Sequence, residues 1–154
     1  MRYIAPAGFR ETARMAIIGE RPSLDSIREL RPFQGPVEGI VPDTLLACGI
    51  PATRILLTYL IAADVGTLNP RTARYREVAS TWVPHLIQQI QNVSYVILIG
   101  STTREVLEEL QEEMDTLILP AMIATYVMPP IPTRGEEARR EWAEALANIL
   151  RRHS

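Results

Sequence analysis

The sequence predicts an α/β fold, a three-layer α/β/α sandwich built on a mainly parallel four-strand sheet. Three observations support this prediction. Short apolar runs that contain many β-branched residues have the composition of strands buried on both faces. These runs alternate along the chain with longer segments of helical periodicity. Each run also ends in a loop that contains glycine, proline or charged residues, and the chain has no internal repeat.

The predicted elements follow one another closely after a lead-in segment at 1–14. Strands are expected at 15–18, 55–61, 95–100 and 121–126, and helices at 37–48, 74–91, 103–114 and 136–152. Gly49 is a natural stop for the first helix, and Ser101 and Thr102 are suitable caps for the third. Pro84 lies inside the second helix and predicts a kink or a break there.

Length and composition limit the class of protein. The 154 residues are enough for one domain with a sizeable core, so a single domain over 1–154 is expected. With 47% hydrophobic and 22% charged residues, the composition is that of an ordinary globular protein. No apolar run reaches the roughly 20 residues of a membrane span, and the first residues lack a signal-peptide core, so we expect a cytoplasmic location and no membrane contact. Cys48, the single cysteine, excludes an internal disulfide and is interpreted as a small core residue.

The charge pattern neither requires nor excludes a nucleic-acid partner. The net charge of −2 provides no overall attraction to DNA. All 16 basic residues are arginine, which genome composition alone could explain, although arginine is also suited to bidentate phosphate contacts. Many acidic residues fall on predicted helices, so a locally positive cleft stays compatible with the acidic total.

Four loops are expected to meet at one edge of the sheet, because right-handed crossovers bring the carboxyl ends of parallel strands together. They span 20–34, 59–71, 100–102 and 127–134. In open α/β sheets, ligands bind in the crevice outside these ends. The stretch from 17 to 39 is the strongest candidate for such a site, because a polar turn and the aromatic Phe33 follow directly after a buried strand. A solvated loop that tucks Phe33 under itself is the plainer alternative.

Two motifs in this stretch resemble those of the uracil-DNA glycosylase superfamily. Gly-Glu-Arg-Pro-Ser at 19–23 is similar to the family's Gly-Glu-Ala-Pro-Gly, and Arg-Pro-Phe-Gln-Gly at 31–35 is similar to its Arg-Pro-Phe-Val-Gly. Weaker matches lie at 57–59, where the family has a strand ending in Thr-Asn, and at 126–130, where it has a Tyr-His-Pro-like motif. The resemblance spans nearly the whole chain from Arg14 onward. It is greatest to the family-four branch and to related phage polymerase-associated domains.

The resemblance implies a protein that flips a base out of DNA and hydrolyses the bond between base and sugar. Phe33 would then stack on the base, with Gly19 and Met128 beside it. Glu20 would orient a water molecule or fix its loop, and Tyr59 would supply a hydrogen-bond donor. Contacts to DNA are expected from Arg21, Ser23, Ser101 and Arg134. The plainer interpretations are a loop anchor for Phe33 and a surface or capping carboxylate for Glu20.

Several positions depart from the family's pattern. Tyr59 stands where the family has an asparagine, and a phenol cannot copy the paired donor and acceptor of an amide. Met128 stands where the family has a donor histidine, and a thioether donates nothing. The family's acidic pair is replaced by Ser26 and Ile27, with Asp25 out of register. One cysteine cannot hold the iron–sulfur cluster of family-four members, so no cofactor and no metal site are expected.

The two histidines do not restore the missing donor. His85 falls within a predicted helix and is interpreted as a packed or helix-surface residue, and His153 lies in a tail that is expected to fray. Trp82 and Trp142 lie on apolar helix faces and are interpreted as core residues.

Three functions therefore stay open. The first is a divergent DNA glycosylase that acts on uracil or a modified pyrimidine. The second is a DNA- or base-binding module whose catalysis has lapsed and which serves as an accessory to a replication or repair protein, with single-stranded DNA or a flipped base as its ligand. The third, least favoured, is a small-molecule binder. All three require Glu20 and Phe33 to lie at the same edge of the sheet, with room beside the ring for one base.

Overall fold

A computed structural model describes residues 3–66, 68–113 and 123–153 of the chain. Its centre is a four-strand sheet in which every pair of neighbours is parallel, in the order β2-β1-β3-β4. The strands are β1 (Met15–Gly19), β2 (Ile55–Tyr59), β3 (Tyr95–Ile99) and β4 (Ala124–Met128). The predicted α/β class with a four-strand parallel sheet is confirmed.

The three inner runs form strands because their residues can be buried on both sides. All five residues of β1, of β2 and of β3 are buried. Apolar, β-branched side chains suit a strand that is covered on both faces. The register places Gly19 opposite Tyr59 at the carboxyl ends of β1 and β2, so these two residues meet at the edge where a site is expected.

Helices cover both faces of the sheet. They are α1 (Leu24–Glu29), α2 (Gly35–Glu38), α3 (Ile40–Ala47), α4 (Ala73–Gln89), α5 (Ser101–Glu113) and α6 (Glu136–Arg152). One apolar core packs α4 and α5 against the side chains of Ile18 and Leu98. The other packs α3 and α6 against the opposite face, around Ile17 and Ile97. None of the described helices is both long enough and apolar enough to cross a membrane.

Several predicted boundaries differ from the structure. The predicted helix at 37–48 is divided into α2 and α3 by Gly39, while Gly49 ends it as expected, with φ +68°. Helix α5 begins at Ser101, so Ser101 and Thr102 belong to its first turn and do not precede it. Pro84 is accommodated inside α4, which continues to Gln89. The last strand runs to Met128 and not to 126.

Some predicted boundaries lie outside the described residues. They are the end of the third helix at 114 and the start of the last strand at 121–122.

The lead-in segment is fixed along β2. Ala7 exchanges two backbone hydrogen bonds with Leu57, at N···O distances of 3.0 and 2.9 Å, and the N–H of Ile4 donates to the carbonyl of Ala62 at 2.8 Å. Ile4 is buried, as a residue covering the core should be. Tyr3 and Phe9, in contrast, are 46% and 65% exposed.

The chain end is also held in place, so the prediction that the tail around His153 frays is wrong. The imidazole of His153 stacks on Tyr95 with ring centroids 3.9 Å apart. Its Nε2 lies 2.7 Å from the hydroxyl of Tyr126. Tyr95 is the first residue of β3, and Tyr126 is the middle residue of β4. The last turn of α6 is therefore anchored to the sheet through its final ring.

Helix α6 also fixes the loop that follows β4. The indole N–H of Trp142 donates to the carbonyl of Pro129 at 2.7 Å. The guanidinium of Arg139 donates to the carbonyl of Pro132 at 2.7 Å and to that of Pro36, in α2, at 2.6 Å. The loop after β4 and the short helix α2 are thus tied to one helix.

Gly35 begins α2 with φ +92°, and a Cβ there would lie 2.4 Å from the Asp25 carboxylate. We expect Gly35→Ala to reduce the free energy of unfolding by more than the 1–3 kcal/mol typical of left-handed strain alone. Gly49→Ala is the matched control, because Gly49 also has a positive φ but has open space around it. Urea unfolding of both variants provides the comparison. Equal losses would contradict the close approach of Asp25.

Candidate functional site

A cleft opens at the carboxyl edge of the sheet. It has a volume of about 580 Å³ and lies between the loop that follows β1 and the loop that follows β2. Its walls include Arg21, Ser23 and Leu24 from the first loop, and Asp64 and Gly66 from the second. A space of this size can hold one nucleotide, and it lies at the carboxyl edge of the sheet, where open α/β sheets bind ligands.

Phe33 does not face this cleft. Its ring is 1% exposed and stacks on the ring of Tyr59, with centroids 5.0 Å apart and planes 14° from parallel. Tyr59 is itself 2% exposed. The expected open stacking face is therefore absent, because the chain's own phenol covers it. The role of Phe33 in base binding stays a prediction.

Close packing around this ring pair depends on Gly19. A Cβ on Gly19 would lie 3.0 Å from Cδ1 of Tyr59 and 3.3 Å from Cζ of Phe33. Both distances are shorter than ordinary van der Waals contacts, so any larger residue would push the rings apart. Gly19 is the residue that lets β1 end directly against both rings.

The backbone at Phe33 is also constrained. Phe33 has φ +57°, a left-handed conformation that is uncommon for a bulky residue. Its N–H donates to the hydroxyl of Tyr59 at 2.8 Å, so the ring that covers Phe33 also holds its backbone. A strained conformation of this kind persists only where its surroundings fix it.

A buried carboxylate, Glu38, holds Tyr59 in place. It is 8% exposed, and its Oε2 accepts a hydrogen bond from the Tyr59 hydroxyl at 2.8 Å. Its Oε1 accepts from the backbone N–H of Ser23 at 2.7 Å and from the hydroxyl of Ser26 at 3.0 Å. Three hydrogen-bond donors therefore surround one buried carboxylate. They compensate for the cost of removing this charge from water.

Ser26 completes this network from α1. Its side chain is fully buried, and its oxygen accepts from the N–H of Gln34 at 2.9 Å. The Tyr59 hydroxyl lies 3.3 Å from the same oxygen. Ser26 occupies one of the positions where the resemblance predicts an acid, so the network places a neutral hydroxyl where a second carboxylate would have faced Glu38.

Tyr59 stays neutral in this setting. Burial of its ring, and then the charge of Glu38, raise the pKa of the Tyr59 hydroxyl well above its ordinary value. The phenol therefore keeps its proton and donates it to Glu38 while it accepts from Phe33. The hydroxyl proton of Tyr59 is thus bonded to Glu38 and is not directed toward a ligand.

Glu20 follows Gly19 in the chain, but its carboxylate does not belong to the network around Glu38. Its Oε1 is buried and accepts no hydrogen bond from the described residues, although Nε of Arg21 lies 3.6 Å away. The hydroxyl of Tyr75, on α4, is likewise buried without such a partner. Burial, followed by the charge of Glu20, raises the pKa of Tyr75. Nη1 of Arg21 donates to the carbonyl of Gly66 at 3.3 Å and links the two loops of the cleft.

The remaining predicted residues fall in different places. Ser23 caps α1, because its side chain accepts from the N–H of Ser26, and it also lines the cleft. Met128 is 3% exposed and belongs to the apolar core that contains Phe33 and Tyr59. Ser101 and Arg134 are exposed and do not line the cleft. Of the four predicted DNA contacts, the structure therefore brings only Arg21 and Ser23 together.

Sequence reasoning missed Glu38 altogether, although its carboxylate accepts three hydrogen bonds in this site. No combination of three histidine, cysteine, aspartate or glutamate side chains suited to a metal ion occurs within the described ranges.

A parallel sheet with a loop-lined cleft at its carboxyl edge is the arrangement in which open α/β proteins bind their ligands. A family model of the uracil DNA glycosylase superfamily matches residues 6–148. Because this match covers nearly the whole chain, the chain belongs to that superfamily. A search of curated proteins finds no match. Family membership supports a uracil-DNA glycosylase-like function directed at DNA.

Replacing Tyr59 with phenylalanine tests the network. Tyr59→Phe keeps the stacked ring but leaves the N–H of Phe33 without its acceptor and Oε2 of Glu38 without its donor. We expect a loss of about 1–3 kcal/mol in the free energy of unfolding, measured in urea. Tyr126→Phe is the matched control, because its hydroxyl bonds His153 at an exposed position. A neutral Tyr59→Phe would mean that Glu38 does not hold the ring.

Proposed function

We propose that this protein is a DNA-binding module of the uracil-DNA glycosylase fold in which base excision has lapsed. The observation that carries the proposal is the stacking of Tyr59 on Phe33. A flipped base needs an aromatic face to stack on, and here a side chain of the protein takes that place. The module would act as an accessory to a replication or repair protein.

A base could reach Phe33 only if Tyr59 moved out of its position. That movement would break the hydrogen bond to Glu38, and bonds to a charged group are worth about 1.5–3 kcal/mol each. It would also leave the N–H of Phe33 without an acceptor. The closed arrangement is therefore favoured by several interactions at once, and stacking energy from one base would have to exceed their sum.

The chemistry of excision lacks a donor as well. Cleavage of the base–sugar bond places negative charge on the departing base, so a donor must face its oxygen. Met128 cannot donate, and the single proton of Tyr59 is bonded to Glu38. Loss of one such donor reduces transition-state stabilisation by about 3–4 kcal/mol. The site thus lacks both the stacking face and the charge stabilisation.

DNA binding itself is supported by other features. The superfamily acts on DNA, and the cleft beside β1 carries Arg21 and Ser23 on its wall. Asp64 on the opposite wall limits the positive charge there. We therefore propose contacts to a small number of phosphates within this cleft.

An active glycosylase is the second candidate, and Glu20 favours it. One of its oxygens is buried and accepts no hydrogen bond from the described residues, so it is available to orient a water molecule. This candidate requires Tyr59 to leave Phe33 when DNA binds.

A uracil-containing single-stranded oligonucleotide separates the two candidates. We expect no abasic sites, scored by alkaline cleavage, and retention of the oligonucleotide that decreases with salt. Arg21→Ala should weaken retention roughly fivefold, as expected for about 1 kcal/mol, whereas Arg152→Ala, at the far end of α6, should not. Cleavage that disappears in Glu20→Gln would instead establish the enzyme. An oligonucleotide that is not retained at all would refute both candidates.

The role of Tyr59 in closing the site has its own test. Met128→His alone should gain no uracil excision, because Tyr59 still covers Phe33. The double variant Tyr59→Asn/Met128→His restores the two groups that the family carries and should show measurable excision. Thermal unfolding of each variant monitors the fold. A folded but inert double variant would argue against Tyr59 as the residue that closes the site.

A further inference from the structure

Three rings form a row beside α4, outside the site described above. Tyr3 and Trp82 are stacked with centroids 5.4 Å apart and planes only 3° from parallel. The ring of His85, one turn further along α4, lies 5.6 Å from Trp82 at a tilt of 44°. We call Tyr3, Trp82 and His85 the aromatic row.

The aromatic row is open to solvent in a way that core residues are not. Tyr3 is 46% exposed, and its hydroxyl makes no hydrogen bond with the described residues. His85 is exposed, and Trp82 is half-buried. The neighbouring Ile4, which is 1% exposed, fills the core at this point, so Tyr3 is not needed there. A second flat ring could stack on Tyr3 and extend the existing pair.

The aromatic row also continues from the cleft. The backbone of Tyr3 pairs with that of Ala63, and Ala63 is one of the residues that line the cleft. Further along, Trp82 and His85 line a surface depression of about 340 Å³ together with Arg74 and Glu77. A chain of stacked groups could therefore leave the cleft at Ala63 and follow α4 without interruption.

We propose that the aromatic row binds the unpaired bases of single-stranded DNA whose phosphates enter the cleft, an inference that rests on the proposed function. Aromatic faces accept any base, because every base has a π-face, and stacking of this kind is the common device of proteins that bind single strands. Arg74 and Glu77 carry opposite charges 3.8 Å apart, so the row itself has little net charge. Stacking, not charge, therefore supplies its binding, and the row selects unpaired strands because paired bases hide their faces.

A labelled oligothymidylate of about twelve nucleotides, long enough for the usual site sizes, tests the proposal by fluorescence anisotropy. Tyr3→Ala should weaken binding roughly tenfold, as loss of one stacked base does, and Tyr3→Phe should retain it. Phe9→Ala is the matched control, because Phe9 is another exposed aromatic residue of the lead-in and lies outside the row. His85→Ala, a change on an exposed helix surface, should also weaken binding. A blunt duplex should bind at least tenfold more weakly than the single strand.

Tryptophan fluorescence supplies a second measurement. A base stacked in the row should quench Trp82, while Trp142 is 4% exposed and bonded to Pro129, so it serves as an internal reference. Binding that decreases in Arg21→Ala but is unchanged in both Tyr3→Ala and His85→Ala would overturn the proposed role of the aromatic row. The proposed role of the cleft would be unaffected. Equal affinity for duplex and single strand would overturn it too. If the oligonucleotide is not bound by the unaltered protein at all, the proposed function fails first.

Discussion

The buried carboxylate of Glu38 is the interaction on which the arrangement at the carboxyl edge depends. One charge joins the start of α1, through Ser23 and Ser26, to the end of β2, through Tyr59. A carboxylate in this position is tolerable only because three donors surround it. If one of these donors were removed, part of a buried charge would lose its compensation. One carboxylate therefore holds the loop, the short helix and the strand end together.

Under the proposed function, Tyr59 closes a binding pocket without any change of fold. The ring of Phe33 remains in the turn where the family's motif has one, and Gly19 still allows close approach from β1. A single side chain on the neighbouring strand fills the space beside the ring, and its hydroxyl is bonded in the interior. We propose that the residue at the end of β2 decides between a site for a base and a packed interior.

The fold was largely predictable, because long periodic segments and buried apolar runs are strong signals. The runs at β1 and β3 and the helix at α6 are examples. The site was less predictable, since it depends on contacts between distant residues. Glu38, at the start of a predicted helix, resembles any solvated carboxylate until Ser26 and Tyr59 are brought to it. Helix α1 was missed because it has only six residues, although Ser23 and Ser26 have the spacing of a capped start. The position of His153 depends on two tyrosines far away in sequence, which no local pattern reveals.

The hydrogen bonds of Ala7 and Ile4 have a consequence for the behaviour of the molecule in concentrated solution. β2 is the outermost strand on its side of the sheet, and such strands present unpaired N–H and C=O groups that can recruit another chain. The antiparallel bridge at Leu57 occupies part of that row, and the glycine and proline that flank Ala7 prevent the added segment from becoming a full strand itself. The lead-in therefore covers part of this edge, and its removal would expose N–H and C=O groups that favour sheet growth between molecules.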